Sequence, residues 1–231
     1  MDISVVVPLY NEEESLPELY AWIERVMKAN GFSYEVIFVN DGSTDRSWQI
    51  IEELSRKSDT VHGIKFRRNY GKSPALYCGF EKAQGDVVIT MDADLQDDIG
   101  VIDDMLREYY NGNDIVYGAR SKRETDTFFK RFTAESFYKL TNALGGEVVF
   151  NHADCRLMSK RALNGLEQYK EVNLFLRGIV PMIGDPSTVV TYERNERFAG
   201  ESKYPLKKML SFAMEGITSL STKPIRFVTT G

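Results

Sequence analysis

The chain has 231 residues, of which 42% are hydrophobic, 27% charged and 12% aromatic, the balance of a folded domain rather than a disordered tail. A domain of this length hides roughly 70% of its extended-chain surface, so neither a disulfide nor a structural metal is needed to hold it together. With 29 basic and 34 acidic residues the formal net charge is -5, which excludes a protein that coats nucleic acid through overall positive charge.

The two cysteines, Cys78 and Cys155, are too far apart for a ligand-pair spacing and point to a reducing compartment. The opening MDISVVVPLY has no basic n-region, and no run of roughly 18 apolar residues occurs. A cytosolic start and no membrane span within the chain are therefore expected.

Short β-branched runs are expected as strands over residues 3–7, 35–39, 61–66, 86–91 and 114–117, with helical segments between them. In the first helix Ser15 and Glu18 are expected to form a capping box, with Leu16, Leu19, Ile23, Val26 and Met27 on one face. A second helix should follow Ser43, with Ser43 and Asp45 as its cap and first turn and Trp48, Ile51 and Leu54 inward. The third runs from about Ser73 to Gly85, and the fourth carries Val101, Ile102, Met105, Leu106 and Tyr109 and stops at Gly112. Right-handed crossovers then give an α/β fold, a Rossmann-like mostly parallel sheet with helices on both faces.

Beyond residue 119 the rhythm breaks. Residues 120–140 mix six bases (Arg120, Lys122, Arg123, Lys130, Arg131, Lys139) with Phe128, Phe129, Phe132, Phe137 and Tyr138. Either a solvated helix with an aromatic face or an anion-binding edge fits that mixture. From 205 onward Leu206, Met209, Leu210, Ala213, Met214 and Ile217 recur at helical spacing beside Lys207 and Lys208, which fits a core helix or a membrane-surface helix.

In an open α/β sheet ligands bind outside the carboxyl ends of the strands, so the residues just after each strand matter most. Here they are polar: Tyr10-Asn11-Glu12, Asp41 to Asp45, Arg67 to Lys72, and Asp92-Ala93-Asp94. Gly71-Lys72-Ser73 has the ending of a P-loop, but Phe66 stands where that motif needs its first glycine, and no GxGxxG occurs. The acidic pair remains. Asp92 and Asp94 are two apart at a strand terminus, so persisting strand geometry would point both side chains the same way. Two hard oxygen ligands suit Mg²⁺ or Mn²⁺ bridging to a diphosphate, and such a cation neutralises charge on a departing nucleotide.

Three ordered segments, VVVPLYNEEESL, VIFVNDGSTD and MDADLQD, resemble the inverting GT-A glycosyltransferases of the dolichyl-phosphate mannosyltransferase and bactoprenyl-phosphate glucosyltransferase group. HADCRLMSKRAL, KEVNLFLRGIVPMIG and RNERFAGESKYPLKKM are similar to segments of its polyisoprenyl-phosphate branch, so the resemblance covers nearly the whole chain. It implies that Pro8, Tyr10, Asn11 and Glu12 line the base and ribose pocket, with Asp41 bonding to the base. Lys72 would contact the diphosphate, Asp92 and Asp94 would carry the metal with Ala93 between them, and Gln96 would sit beside the sugar or phosphate.

A lipid phosphate acceptor carries between one and two negative charges and is already nucleophilic, so it needs positioning more than deprotonation. Arginine forks suit that task. Arg120 and Arg131 fall in the stretch that resembles the acceptor-phosphate site, and Arg197 and Lys203 fall in a segment expected to close over the diphosphate. Asp154 matches a position proposed as general base or acceptor-positioning acid, with orientation through Arg156 the preferred role. His152 is expected as a buried, hydrogen-bonded residue and His62 as part of strand three or its edge.

The expected function is transfer of a sugar, glucose or N-acetylglucosamine, from a uridine nucleotide to a polyprenyl phosphate at the cytoplasmic face of a membrane. Residues 1–204 would form the catalytic domain, with 1–118 the nucleotide half and 119–204 the acceptor half. Residues 205–231 would form an amphipathic juxtamembrane segment cut before membrane helices. The expected partners are the donor, the lipid acceptor and the membrane surface, with no nucleic acid, and a homo-oligomer is compatible with this set. A polysaccharide-extending glycosyltransferase, a nucleotidyltransferase and a non-catalytic nucleotide-sugar sensor are the alternatives.

Overall fold

Residues Ile3–Leu9 form the first strand, β1, and all seven are buried, which a strand achieves only when both faces of its sheet are covered. The structure, a computed structural model, describes residues 1–98, 100–120, 152–169, 176–184 and 186–192. After β1 come α1 (Leu16–Asn30), β2 (Tyr34–Asn40), α2 (Ser47–Lys57), β3 (Val61–Lys65), α3 (Lys72–Lys82), β4 (Val87–Thr90) and α4 (Val101–Tyr110). Then follow β5 (Ile115–Arg120), β6 (His152–Ser159), α5 (Lys160–Leu166), α6 (Leu176–Met182) and β7 (Ser187–Tyr192).

The seven strands lie in the order β3-β2-β1-β4-β6-β5-β7. All pairs are parallel except those of β6, which runs antiparallel to both β4 and β5. The expected α/β architecture, helices on both faces included, is therefore present, with one strand reversed. Val5, Val7, Val36 and Phe38 face a core shared with α1, α2 and α4. Val6, Ile37, Val39 and Val88 face a second core that includes Ala75, Leu76 and Phe80 of α3 and residues of α5 and α6.

Three local expectations are corrected by hydrogen bonding and close packing. Ser15 makes no side-chain cap: its backbone is already helical at φ -92°, ψ -26°, and its hydroxyl lies 3.1 Å from the Glu12 carbonyl, to which it donates. The turn preceding α1 thus starts at Glu12, and the capping box does not form. Helix α2 begins at Ser47 rather than just after Ser43, because Asp45 Oδ1 takes the Ser47 N–H (3.0 Å) and Ser43 Oγ takes the Asn11 N–H (2.9 Å). Helix α3 ends at Lys82 and not at Gly85, which instead lies where a Cβ would come within 2.6 Å of the Ser4 nitrogen.

At the amino ends of these strands, Glu35 is only 1% exposed. Its Oε1 accepts from Ser4 Oγ (2.5 Å) and Gln84 N (2.7 Å), while exposed His62, on edge strand β3, approaches Oε2 at 3.5 Å. This buried network joins β1, β2 and the α3–β4 connection, because a buried carboxylate is tolerated only when its oxygens are hydrogen-bonded.

Nearby, burial pushes the Tyr34 phenol from its ordinary 10.0 up to about 12. The unfolded phenol ionises first, so the stability this group contributes is intact below pH 10.0 and is lost as the pH rises through about 12. Urea midpoints of wild type should accordingly fall relative to those of Tyr34→Phe across that window. A gap independent of pH would contradict this.

Candidate active site

The strand order reverses between β1 and β4: the chain steps from β1 outward to β2 and β3, then returns to place β4 on the other side of β1. Ligands of such sheets bind in the crevice at that switch point, outside the carboxyl ends. The segments after β1 and β4 are the tyrosine-asparagine-glutamate and double-aspartate runs, so topology brings them to one rim.

Side chains and amides cross-link the first two rim segments. Asn11, with φ +54°, presents its carboxamide oxygen to Thr44 N (2.8 Å), and asparagine tolerates that left-handed backbone better than most residues. Glu12 N donates to Ser47 Oγ (3.0 Å), Glu13 N to Asp45 Oδ2 (3.2 Å), and Arg46 N to Glu13 Oε2 (2.8 Å). Ser43 and Asp45 therefore fasten the β1 segment to the β2 segment, and Asp45 Oδ1 also accepts from the first N–H of α2. Pro8 is buried within β1 in register with Val39, while Tyr10, Asn11 and Glu12 are half-buried above it.

Asp41 organises the third segment. It is 4% exposed, and its two oxygens accept from Tyr70 N (2.7 Å) and Gly71 N (2.9 Å). Burial pushes its carboxyl above the ordinary carboxylate value, an effect that the two N–H groups partly offset. The same loop carries Tyr70, half exposed, whose ring stacks under the Arg68 guanidinium at 4.8 Å. It then delivers Lys72 as the first residue of α3, and Lys72 Nζ pairs with Asp92.

The double-aspartate segment differs from its expected geometry. Strand β4 ends at Thr90, and the chain turns at once, with Leu95 at φ +59°. Strand alternation therefore does not align Asp92 and Asp94. A turn does the placing: Asp94 Oδ1 accepts from Gln96 N (3.2 Å), and both aspartates stay half-buried between buried Met91, Ala93 and Leu95. Gln96 is 9% exposed. Among the described residues no three His, Cys, Asp or Glu side chains form a closed cage. Two carboxylates beside a lysine nevertheless fit a hard cation that completes its shell with waters and a diphosphate, as the residue pattern implied.

Strand β6 was missed by sequence reasoning, since HADCRLMS carries two charged residues, Asp154 and Arg156. Its reversed direction brings its amino end to the same rim. Arg156 is in register with Thr90 of β4 and Tyr117 of β5, is 3% exposed, and its carbonyl accepts from Thr90 Oγ1 (3.4 Å). Burial raises the Tyr117 phenol and the Arg156 charge pulls it back down, so the two groups sense each other. Asp154 belongs to β6 and Arg120 closes β5, their backbones on this rim, but their side chains are outside the described set. His152 pairs with Ala119 in the ladder, its side chain likewise outside. Arg131, Arg197 and Lys203 lie outside the described residues.

Asp97 and Tyr192 were also missed. The Tyr192 hydroxyl donates to Asp97 Oδ1 at 2.6 Å across 95 positions of sequence, and in the sequence Asp97 stands only as the last residue of MDADLQD. A separate depression of about 720 Å³ opens at the opposite end of the sheet, lined by Asp2, Phe32, Asp86, Tyr109 and Tyr110. None of the candidate residues reaches it, and it lies at the amino ends of the strands, whereas ligands of such sheets bind outside the carboxyl ends at the switch point.

Sheet order and switch-point crevice are those of the GT-A fold seen in solved glycosyltransferases. The chain belongs to glycosyl transferase family 2, whose profile matches residues 4–166. It is 52% identical over 235 aligned positions to the uncharacterized glycosyltransferase YkoT of Bacillus subtilis (strain 168), covering 98% of this chain and 70% of that protein. To the bactoprenol glucosyl transferase of Shigella phage SfV it is 43% identical, covering 98% of this chain and 74% of that protein. Its fold is like that of glucosyl-3-phosphoglycerate synthase from Mycobacterium tuberculosis, solved with Mn²⁺, uridine diphosphate and phosphoglyceric acid. The TM-score is 0.63 and the identity 19%, over 95% of this chain and 77% of that one. Among the described residues no helix is long and apolar enough to cross a membrane.

Proposed function

We propose that the protein transfers glucose from a uridine diphosphate sugar to a polyprenyl phosphate at the cytoplasmic face of a membrane. The observation that carries this reading is the Lys72–Asp92 pair at the switch point, with Asp94 in the same turn, where a diphosphate would be gripped. Relatives named bactoprenol glucosyl transferase, at 41 to 43% identity, support the sugar and the lipid acceptor.

Tyr10, Asn11 and Glu12 hold base and ribose over buried Pro8, and Asp41 contacts the base while shaping the Tyr70–Lys72 turn. Asp92 and Asp94 bind Mg²⁺ or Mn²⁺, which when present neutralises charge on the leaving diphosphate. Lys72, paired with Asp92, lies where it can add a positive charge to the diphosphate. Ala93 and Gln96 flank the sugar.

Transfer is a single displacement in which a lipid phosphate oxygen bonds to the anomeric carbon as the bond to uridine diphosphate breaks, inverting that carbon. The phosphate oxygen has no proton to lose, so Asp154 and Arg156 orient it, with Arg120 and Arg131 contributing cationic donors. Arg197 and Lys203 cover the diphosphate. The basic segment 205–226 would lie along the anionic leaflet, where each basic residue adds about 1 kcal/mol of attraction.

Incubation of polyprenyl phosphate with UDP-glucose, UDP-N-acetylglucosamine or GDP-mannose, with and without Mn²⁺, tests this. Metal-dependent formation of prenyl-linked glucose from UDP-glucose is expected. Product on an oligosaccharide acceptor alone, or diphosphate release from sugar phosphate and nucleoside triphosphate, would replace the reading with one of its rivals.

A further inference from the structure

The loop between β4 and α4 carries the double aspartate in a conformation that residues 91–98 would not hold unaided. Leu95 adopts φ +59°, which is unfavourable for a residue with a Cβ, and persists only where the surroundings over-determine it. Three anchors surround that point. The Leu95 side chain is 2% exposed, Asp94 Oδ1 closes a turn onto Gln96 N, and Asp97, 3% exposed, receives the Tyr192 hydroxyl. The first is general packing in the core, the second is internal to the loop, and the last is a single directed hydrogen bond from another element.

Tyr192 is the final residue of β7, three strands from β4 in the sheet, and is 6% exposed. Its ring lies against Gly118 of β5, where an added Cβ would come within 3.0 Å of Tyr192 Cε1 and 2.9 Å of Met105 Cε. The missing side chain at Gly118 leaves the ring room to cross the end of β5 and present its hydroxyl to Asp97. Beyond Tyr192 the chain runs directly into the segment holding Arg197.

We propose that Tyr192 is a positioning residue for the donor site: through Asp97 it holds the Asp92–Gln96 turn in the geometry that binds the metal–diphosphate unit. The inference rests on the assignment of that turn to the donor, and it adds a control point at the far edge of the sheet. A hydroxyl donating to a carboxylate at 2.6 Å is short and charge-assisted, hence suited to fixing a loop.

The test uses Tyr192→Phe and Asp97→Asn in the full chain. Tyr192→Phe keeps the buried ring and loses the donor, whereas Asp97→Asn keeps an acceptor oxygen for the hydroxyl. In ligand-free protein, hydrogen exchange of the amides of residues 92–98 should speed up by about tenfold in Tyr192→Phe. The KM for UDP-glucose and the Kd for UDP with Mn²⁺ should rise by about tenfold, with kcat changed by less than about threefold. Asp97→Asn should fall between Tyr192→Phe and wild type in both readouts. A lowered Tm with unchanged exchange at 92–98 and unchanged UDP affinity would reduce Tyr192 to a packing residue and overturn the proposal. If wild type bound no UDP in the presence of Mn²⁺, the donor assignment would fail by itself, and the exchange measurement would still decide whether Tyr192 holds the loop.

Discussion

Asp94→Ala should lower kcat/KM for sugar transfer by about 10³-fold, roughly 4 kcal/mol of transition-state stabilisation, while the protein remains folded. Two losses are combined in that variant, because Asp94 both presents a charge at the rim and closes the turn onto Gln96 N at 3.2 Å. Asp94→Asn separates them. The amide oxygen still accepts from Gln96 N, so the loop keeps its shape, but the negative charge needed by a hard cation is gone. We expect Asp94→Asn to remain at least about 10²-fold below wild type, with circular dichroism and Tm nearly unchanged. Activity near wild type in Asp94→Asn would show that the turn, not the charge, is what catalysis requires. Lys72 pairs with the other aspartate of the motif, so a cation bound by Asp92 would share that carboxylate with the lysine.

The second large effect is expected at a residue without a side chain. Gly42 follows Asp41 with φ +72°, and a Cβ there would lie 2.4 Å from the Arg68 carbonyl carbon and 2.6 Å from Asn69 N. Both are backbone atoms, so no rotamer change relieves the contact. Gly42→Ala must therefore push apart the β2 and β3 exit loops and draw Tyr70 N and Gly71 N away from the Asp41 carboxylate. Destabilisation of about 3 kcal/mol is expected, combining about 1–2 kcal/mol of left-handed backbone strain with overpacking. That corresponds to about 6–12 °C in Tm for a chain of this size.

UDP affinity should fall by at least about tenfold, because Lys72 is one residue beyond the displaced Gly71. Gly31 supplies the control. It has nearly the same backbone, φ +69°, yet a Cβ there meets nothing within 4 Å. Gly31→Ala should cost only the strain, about 1 kcal/mol, and leave UDP binding intact. Equal effects at the two positions would refute the steric account.

Much of the site can be read without coordinates, for a local reason. Strands buried on both faces are uninterrupted apolar runs, and the residues that follow them must be at the rim whatever the order of the strands. VVVPLYNE, VIFVNDGS and VVITMDAD each contain both signals within a few positions. Helix faces are equally local, and Leu16, Leu19, Ile23 and Met27 are buried as their spacing requires. Individual side chains depart from these local patterns where another hydrogen-bond partner competes for them, whether near or distant in sequence. Ser15 looked like a cap because Glu18 follows at the right interval, but the Glu12 carbonyl competes for its hydroxyl. Ser43 looked like a helix-start residue, but the amide of Asn11 claims it, while Asp45 serves both the Ser47 amide that opens α2 and the amide of Glu13.

Residue order alone established a domain of alternating strands and helices and a rim rich in carboxylates, since periodicity and strand-exit chemistry are properties of neighbours along the chain. Tertiary structure decided which strands adjoin, and with that the reversal of β6 that sets Arg156 beside Thr90 and Tyr117. It also decided the approach of Gly42 to Arg68 and the bond from Tyr192 to Asp97. Each of those depends on groups tens of positions apart competing for the same space or the same lone pair, and that competition is settled only when the sheet closes around them.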